Sequence, residues 1–410
     1  MCSTLTHSSK MDAQEVKNTF GFDVSADLAE ASAEGNELGT GALQFDKNEY
    51  TDFGLFLYLL MENGITTKDG PAPKTKKPSC KSLSVNGRVV QDKMEKYLAA
   101  QGESSSALKE VLKSPRHYLI YKNEDLRPKD ESHFTLGTFI HSAFLEPSKF
   151  AKVKVLPAEG NKSSKAGIAV LIKYYWNLLG IAPDAFLAEM KMDDLKETLF
   201  DLEVMAKKAG YTFIDAEMQQ VVKIVQSSYK TYGGGIIPRL VAQGRTETSM
   251  YGKDPSTGLK VKIRPDCMLL EEQVGANIIL SVKTTSATSV DAFMRDAAKY
   301  RYELAEGMYL QVASEITGRK FSGTLMLVAQ TCIPYQCFLL WLDAEDLACG
   351  KYKYQQAIDI VAQCKKADSW PGFESYAEDD AHGIIQARFP TWIKGELKPQ
   401  YIPDPVMTEE

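Results

Sequence analysis

At 410 residues the chain is long enough for two domains or one elaborated one. Its 44% hydrophobic and 25% charged content is ordinary for a soluble globular protein. The net charge of −6 leaves no global basic footprint, which speaks against a passive nucleic-acid coat but not against an enzyme with a local basic groove. The seven cysteines are scattered and include no CxxC pair, so neither a zinc ribbon nor a disulfide framework is expected, and a reduced, cytoplasmic setting fits best. The longest apolar run, Phe53 to Met61, is too short to span a bilayer, and MCSTLTHSSKMDAQE lacks the features of a secretory signal.

Residues 1–63 are acidic and loosely patterned, apart from the apolar block FGLFLYLLMENG. Residues 64–88 are rich in Pro, Lys and Ser and read as a solvated linker, with Lys74, Lys76, Lys77 and Lys81 as possible phosphate contacts. The body of the chain is expected over 89–395, with 396–410 as a tail. Helical spacing covers 90–101, 106–121 and 135–146, and most of 167–229, where one helix opens at Asp215. The period then shortens. ETSMYG, GLKVKIRPDCMLL, ANIILSVKTT, GTLMLVAQT and YQCFLLWLD read as strands, with one helix over 289–317 between the third and fourth. Asp343 caps a closing helix that runs to about 366. The fold class is α/β, a central mixed sheet flanked by helices.

The stretch Val261 to Thr285 reads as a hairpin. Arg264 and Asp266 share one face of its first strand; Ser281 and Lys283 share one face of its second. Pro265 has no N–H for the ladder, so a distortion is expected where Asp266 is presented. A carboxylate beside a lysine on neighbouring strands suits phosphodiester hydrolysis: the acid holds Mg²⁺ or Mn²⁺, and the amine serves the attacking water. From the hairpin alone, an Asp and a Lys on a solvated sheet face would look the same.

The wider pattern resembles the RecE-like (exodeoxyribonuclease VIII type) phage exonucleases of the PD-(D/E)XK superfamily. The matching pieces run in the family's order: SSALKEVLKSPRHY, LGTFIHSAFLEPSKF, the Glu247 strand, KIRPDCMLL, SVKTTSATSVDAFMRDAAKYRYELAEGMY and DSWPGF, together spanning about 104–373. The resemblance implies a PD-(D/E)XK nuclease-like core. It makes His141 and Asp266 metal ligands and Glu247 an outer one; Asp266, Ser281 and Lys283 are then the catalytic set. Arg264, Arg295, Arg301, Tyr302 and Tyr309 would meet DNA. It further implies a Mg²⁺- or Mn²⁺-dependent exonuclease on the ends of linear double-stranded DNA, working 5′ to 3′ in phage-type recombination. A strand-annealing protein and a homo-oligomeric ring are the partners it suggests.

Two positions depart from that pattern. Ser281 stands where the family has Asp or Glu, and Ala305 stands where a Gln is usual, four residues before Tyr309. A hydroxyl binds a hard divalent cation far more weakly than a carboxylate. Glu247, Glu271 or Glu272 could substitute in space, or Glu306 from the helix side. The alternative is a degenerate nuclease fold kept for DNA-end binding or partner assembly. The sequence holds no phosphate loop, dinucleotide fingerprint, HExxH or GxSxG, which disfavours nucleotide-driven, dehydrogenase, zincin and serine-hydrolase chemistry.

Overall fold

The computed structural model describes residues 46–67, 76–123, 136–183, 187–378 and 381–387. The expected tail, Lys74 and most of the expected N-terminal region lie outside them. The chain divides into two compact units, Met1–Ser105 with Lys129–Gln356, and Ser106–Pro128 with Ala357–Glu410.

Among the described residues, helices of at least eight residues are α1 (Phe53–Glu62), α2 (Pro115–Lys122), α3 (Leu136–Leu145), α4 (Lys165–Leu179), α5 (Met192–Lys208), α6 (Ala216–Thr231) and α7 (Ile236–Gln243). Then come α8 (Val290–Lys299), α9 (Tyr302–Thr317) and α10 (Ala344–Ala367). The strands are β1 (Arg88–Val90), β2 (Val153–Val155), β3 (Thr212–Ile214), β4 (Arg245–Thr246) and β5 (Ser249–Lys253). β6 (Lys260–Ile263), β7 (Cys267–Leu269), β8 (Asn277–Thr285), β9 (Phe321–Gln330) and β10 (Cys337–Trp341) complete them. No helix among the described residues is long and apolar enough to cross a membrane.

In the first unit a five-stranded mixed sheet, in the order β10-β9-β8-β7-β4, forms the centre; β8 and β9 run parallel and the other pairs antiparallel. Alternation sorts its residues. Ile278, Leu280 and Val282 of β8, with Leu325 and Leu327 of β9, pack against Ile140 and Phe144 of α3, Val225 of α6 and Leu240 of α7. On the opposite face Ser281 and Lys283 look toward α9. The α4–α5 hairpin closes a separate apolar cluster that includes Ile168, Ile172, Leu195 and Leu199. Asp215 caps α6 as expected, its Oδ1 accepting from Met218 N at 2.7 Å.

Four expectations change. The boundary near residue 63 disappears, because Phe56, Leu60 and Ile65 sit in the main core. The described parts of the expected linker are folded: Leu83 is fully buried, β1 pairs with β5, and Lys77 Nζ donates to Gly244 O. The expected hairpin is split. β6 joins β5 and β1 in a three-stranded antiparallel sheet, and only β7 pairs with β8. The chain crosses between the sheets at Arg264–Asp266, around the proline that breaks the ladder, and a second time between β4 and β5 at Glu247–Thr248. Finally, 289–317 is two helices, interrupted at Arg301, whose φ of 51° is left-handed.

The second unit contains α2, opened by Ser114 and Pro115 in the first-turn position where proline fits. Tyr118 stacks on Trp370 with centroids 5.1 Å apart, and Arg116 pairs with Glu374 at 2.9 Å. The segments SSALKEVLKSPRHY and DSWPGF thus meet within this unit.

Candidate metal centre

The two crossings bring Glu247 and Asp266 together, joined by a backbone hydrogen bond from Glu247 N to Asp266 O at 3.0 Å. Glu247 has a φ of 53°, a conformation side chains with a Cβ rarely adopt, held here by the sheets on either side. Asp266 uses one oxygen to accept from Val282 N at 2.6 Å, which ties it to β8. Its other oxygen lies 3.2 Å from His141 Nε2. His141 is carried by α3, whose apolar face buries Phe139, Ile140 and Phe144 and leaves the imidazole at the rim.

Glu247 Oε2 accepts from Arg264 Nε at 2.6 Å, while Oε1 is buried without a hydrogen-bond donor and stands 3.6 Å from His141 Nε2. One ligand atom from each of His141, Glu247 and Asp266 lies within 4.8 Å of the others. Two carboxylates, each with one oxygen held by a protein donor and one turned to a shared space, together with an imidazole nitrogen, fit a divalent cation. The undonated buried oxygen of Glu247 is the observation that carries the fit, since such an atom without a partner is costly.

The electrostatics follow from this packing. Burial alone would push the His141 imidazole down, but the hydrogen bond and charge of Asp266, with Glu247 behind, raise it above its ordinary value. Burial opposes ionisation of Asp266, yet His141, Lys283 and the Val282 amide hold it below the usual carboxylate range. Glu247 is raised by burial, which His141 and Arg264 only partly offset. Lys283 would be lowered by burial, but the charges of Glu306 and Asp266 raise it, so it stays a cation.

The acid missing at position 281 arrives from α9. Glu306 is fully buried; its Oε2 accepts from Ser281 Oγ at 2.6 Å and its Oε1 is 3.1 Å from Lys283 Nζ, an ion pair bent away from hydrogen-bonding geometry. Tyr302, Glu306 and Tyr309 are spaced i, i+4, i+7 and share the face of α9 turned to this site. Tyr302 lies under Lys283, whose Nζ is 5.1 Å from the ring centroid. Burial and the charges of Asp266 and Glu306 push the Tyr309 phenol up, and it hydrogen-bonds Ser105. Ala305 is buried on another face of the helix.

The structure therefore gathers His141, Glu247, Asp266, Ser281, Lys283, Tyr302 and Tyr309, and adds Glu306. It corrects the expectation for Arg264. That residue is 8% exposed and its guanidinium is committed to Glu247, Asp92 O and Ser249 Oγ, so its donors face inward rather than toward a DNA backbone. Arg295 is exposed and Arg301 half-buried on the neighbouring surface. Glu271 lies outside the cluster, at the start of the short helix after β7. Glu272 does too, and it pairs with Arg319 at 2.7 Å. The internal role of Arg264 was readable only from three-dimensional pairing, because alternation along β6 stops at the proline.

Residues 104–378 match the family described as "PDDEXK-like domain of unknown function (DUF3799)". The chain belongs to this family. The matched span holds every residue of the centre. No curated protein matches the chain. Among solved structures it is similar to a "putative exonuclease" from Eubacterium rectale, at 13% identity and a TM-score of 0.39, over 75% of this chain and 98% of that one. It is also similar to the protein SSO0001, at 10% identity and a TM-score of 0.20, over 55% and 87% respectively.

Proposed function

We propose that this protein is a metal-dependent nuclease that hydrolyses phosphodiester bonds at the ends of linear double-stranded DNA. The observation that carries the reading is the meeting of His141, Glu247 and Asp266 beside Lys283 and Glu306. His141, Asp266 and Glu247 hold the cation; carboxylates suit Mg²⁺ and Mn²⁺, and the imidazole tilts the set toward Mn²⁺. When bound, such an ion activates water and offsets charge on the phosphoryl oxygens.

The chain's own groups supply the rest. Lys283, held protonated between Glu306 and Asp266, donates to the attacking water or to a phosphoryl oxygen and stabilises charge as it develops. Glu306 fixes that ammonium and restores the negative charge that Ser281 lacks. Arg264 orients Glu247. The alternative, a degenerate fold kept for DNA-end binding or partner assembly, rests on Ser281 and Ala305, and the buried Glu306 beside Ser281 favours the catalytic reading. The 5′-to-3′ direction, a role in phage-type recombination, a strand-annealing partner, a homo-oligomeric ring and a cytoplasmic setting belong to this proposal through the family resemblance.

The test is digestion of end-labelled linear duplex beside a closed circle, with Mg²⁺, Mn²⁺ or chelator. Release of label from linear DNA only, lost in Asp266→Asn, is expected. No hydrolysis by the folded protein in either metal refutes the nuclease reading, and equal cutting of the circle refutes the exonuclease one.

A further inference from the structure

The junction between α8 and α9 holds a feature that the hydrolytic groups do not need. Arg301 stands at φ 51°, ψ 52°, a left-handed conformation at a residue that is not glycine. The turn it makes sets the two flanking tyrosines side by side: the Tyr300 and Tyr302 rings stack with centroids 6.0 Å apart at 28°. Tyr302 is propped from within by the buried Phe293, centroids 6.3 Å apart, and lies against Lys283 of the metal centre. Tyr300, at the outer end, is 54% exposed. The rings therefore run without a gap from the lysine of the site to solvent.

Two cations stand beside them. Lys299 Nζ sits 5.6 Å from the Tyr300 centroid, and Arg295, one helical turn earlier, is exposed with it. Neither forms an ion pair among the described residues, although Asp291 and Asp296 lie on the same helix. Exposed tyrosine flanked by exposed cations, one ring away from the candidate metal centre, matches the way single strands are held: bases on aromatic faces, phosphates on Lys and Arg. A base inside a duplex has both faces covered by its neighbours, so only a terminal or unpaired base offers a free face.

We propose that Tyr300 and Tyr302 form a stacking platform for an unpaired base at the end of the strand being hydrolysed, with Lys299 and Arg295 taking its neighbouring phosphates. This rests on the nuclease reading and adds the substrate's form: a frayed or overhanging end, without preference for base identity, because every base has a face to stack.

The test uses the full chain with Ca²⁺ and fluorescently labelled duplex DNA whose overhang carries either natural or abasic terminal nucleotides. Tyr300→Ala should weaken binding to the natural end by about tenfold or more, and Tyr300→Trp should retain it. On the abasic end, wild type and Tyr300→Ala should bind alike. Equal binding of Tyr300→Ala and wild type to natural ends overturns the proposal, as does an equal loss on abasic ends. Tyr300 is exposed, and circular dichroism checks that the variants fold. Wild-type hydrolysis of the same DNA in Mn²⁺, measured alongside, separates the outcomes: hydrolysis with no Tyr300 effect sinks the platform alone, whereas neither binding nor hydrolysis by wild type sinks both readings.

Discussion

Returning the displaced carboxylate to the strand tests the centre most directly. Ser281 Oγ and Glu306 Oε2 are 2.6 Å apart and both residues are fully buried, so an acid introduced at 281 would occupy nearly the same space. With Glu306 still present, two carboxylates about 4 Å apart repel by about 4 kcal/mol at an effective dielectric of about 20, less whatever Lys283 offsets. Such a pair shares a proton at neutral pH. While that proton is shared the charge count equals that of the natural site, so Ser281→Asp alone is expected to lose activity as pH rises and the shared proton leaves. Glu306→Gln removes the charge instead. Losing several kcal/mol of charge stabilisation slows hydrolysis by about 10²- to 10⁴-fold. It also leaves Lys283, whose side chain is 15% exposed, short of its nearest partner and destabilises the fold by about 3 kcal/mol. The double variant restores the charge count and should recover most of the lost rate. End-labelled duplex hydrolysis in Mn²⁺ across pH, with thermal denaturation alongside, measures all three. A Glu306→Gln protein as active as wild type, or a Ser281→Asp single variant more active than wild type, refutes the reasoning.

Four further outcomes follow from the same geometry. Arg264→Met should lower Mn²⁺ affinity by about 10- to 100-fold in calorimetry and cost about 3–5 kcal/mol of stability, because the 6%-exposed Glu247 carboxylate loses its partner; unchanged affinity would contradict a positioning role. Metal affinity should rise with pH through the raised His141 value, since the imidazole must shed its proton to bind. In the metal-free protein the sign reverses: the His141 contribution to stability is complete below its ordinary value of 6.5 and fades as pH climbs through the raised one, so the melting temperature should fall over that window above 6.5, and not in His141→Gln. The Asp266 contribution, from a lowered carboxyl, is present above 3.8 and disappears only as pH drops through the folded value, well outside that window. Gly307→Ala should destabilise the protein and reduce activity together, because a Cβ there would meet the Gly350 carbonyl carbon at 2.2 Å and push α9, with Glu306 on it, away from α10; normal activity in a destabilised Gly307→Ala would separate the helix contact from the site.

Much of this architecture is local enough to read along the chain. The caps at Asp215 and Asp343, the one-sided alternation of β8 and the distortion at Pro265 each depend on a few neighbouring residues. What escaped depends on distant partners. The two halves of the 258–270 stretch enter different sheets because β5 and β8 compete for them, and nothing within the stretch records that. Lys- and Pro-rich composition marked 64–88 as linker, although Ile65 and Leu83 within it are buried. The break at Arg301 carries no glycine or proline to announce it. In the site, Lys283 follows from strand alternation, Asp266 from the proline that distorts the chain beside it, and His141 from the family resemblance. Glu306 is harder to see, because it sits among Leu304, Ala305, Gly307 and Met308 on a helix that is buried nearly all round.

A charge count over the centre explains how a chain of net charge −6 can present one spot to a polyanion. With their carboxyl groups ionised, Glu247, Asp266 and Glu306 contribute three negative charges, and the ion-paired Arg264 and Lys283 contribute two positive ones. The neutral-imidazole site is thus one unit negative, too little to repel a phosphate strongly and enough to attract a cation. A divalent ion turns it one unit positive, the complement of a single phosphodiester. Had the acid stood at both 281 and 306, the loaded site would be neutral and that attraction lost; with an acid at neither, Lys283 would be left with Asp266 alone. One carboxylate, delivered from strand or helix, is what the balance requires, and with Glu306 in place a serine at 281 keeps it.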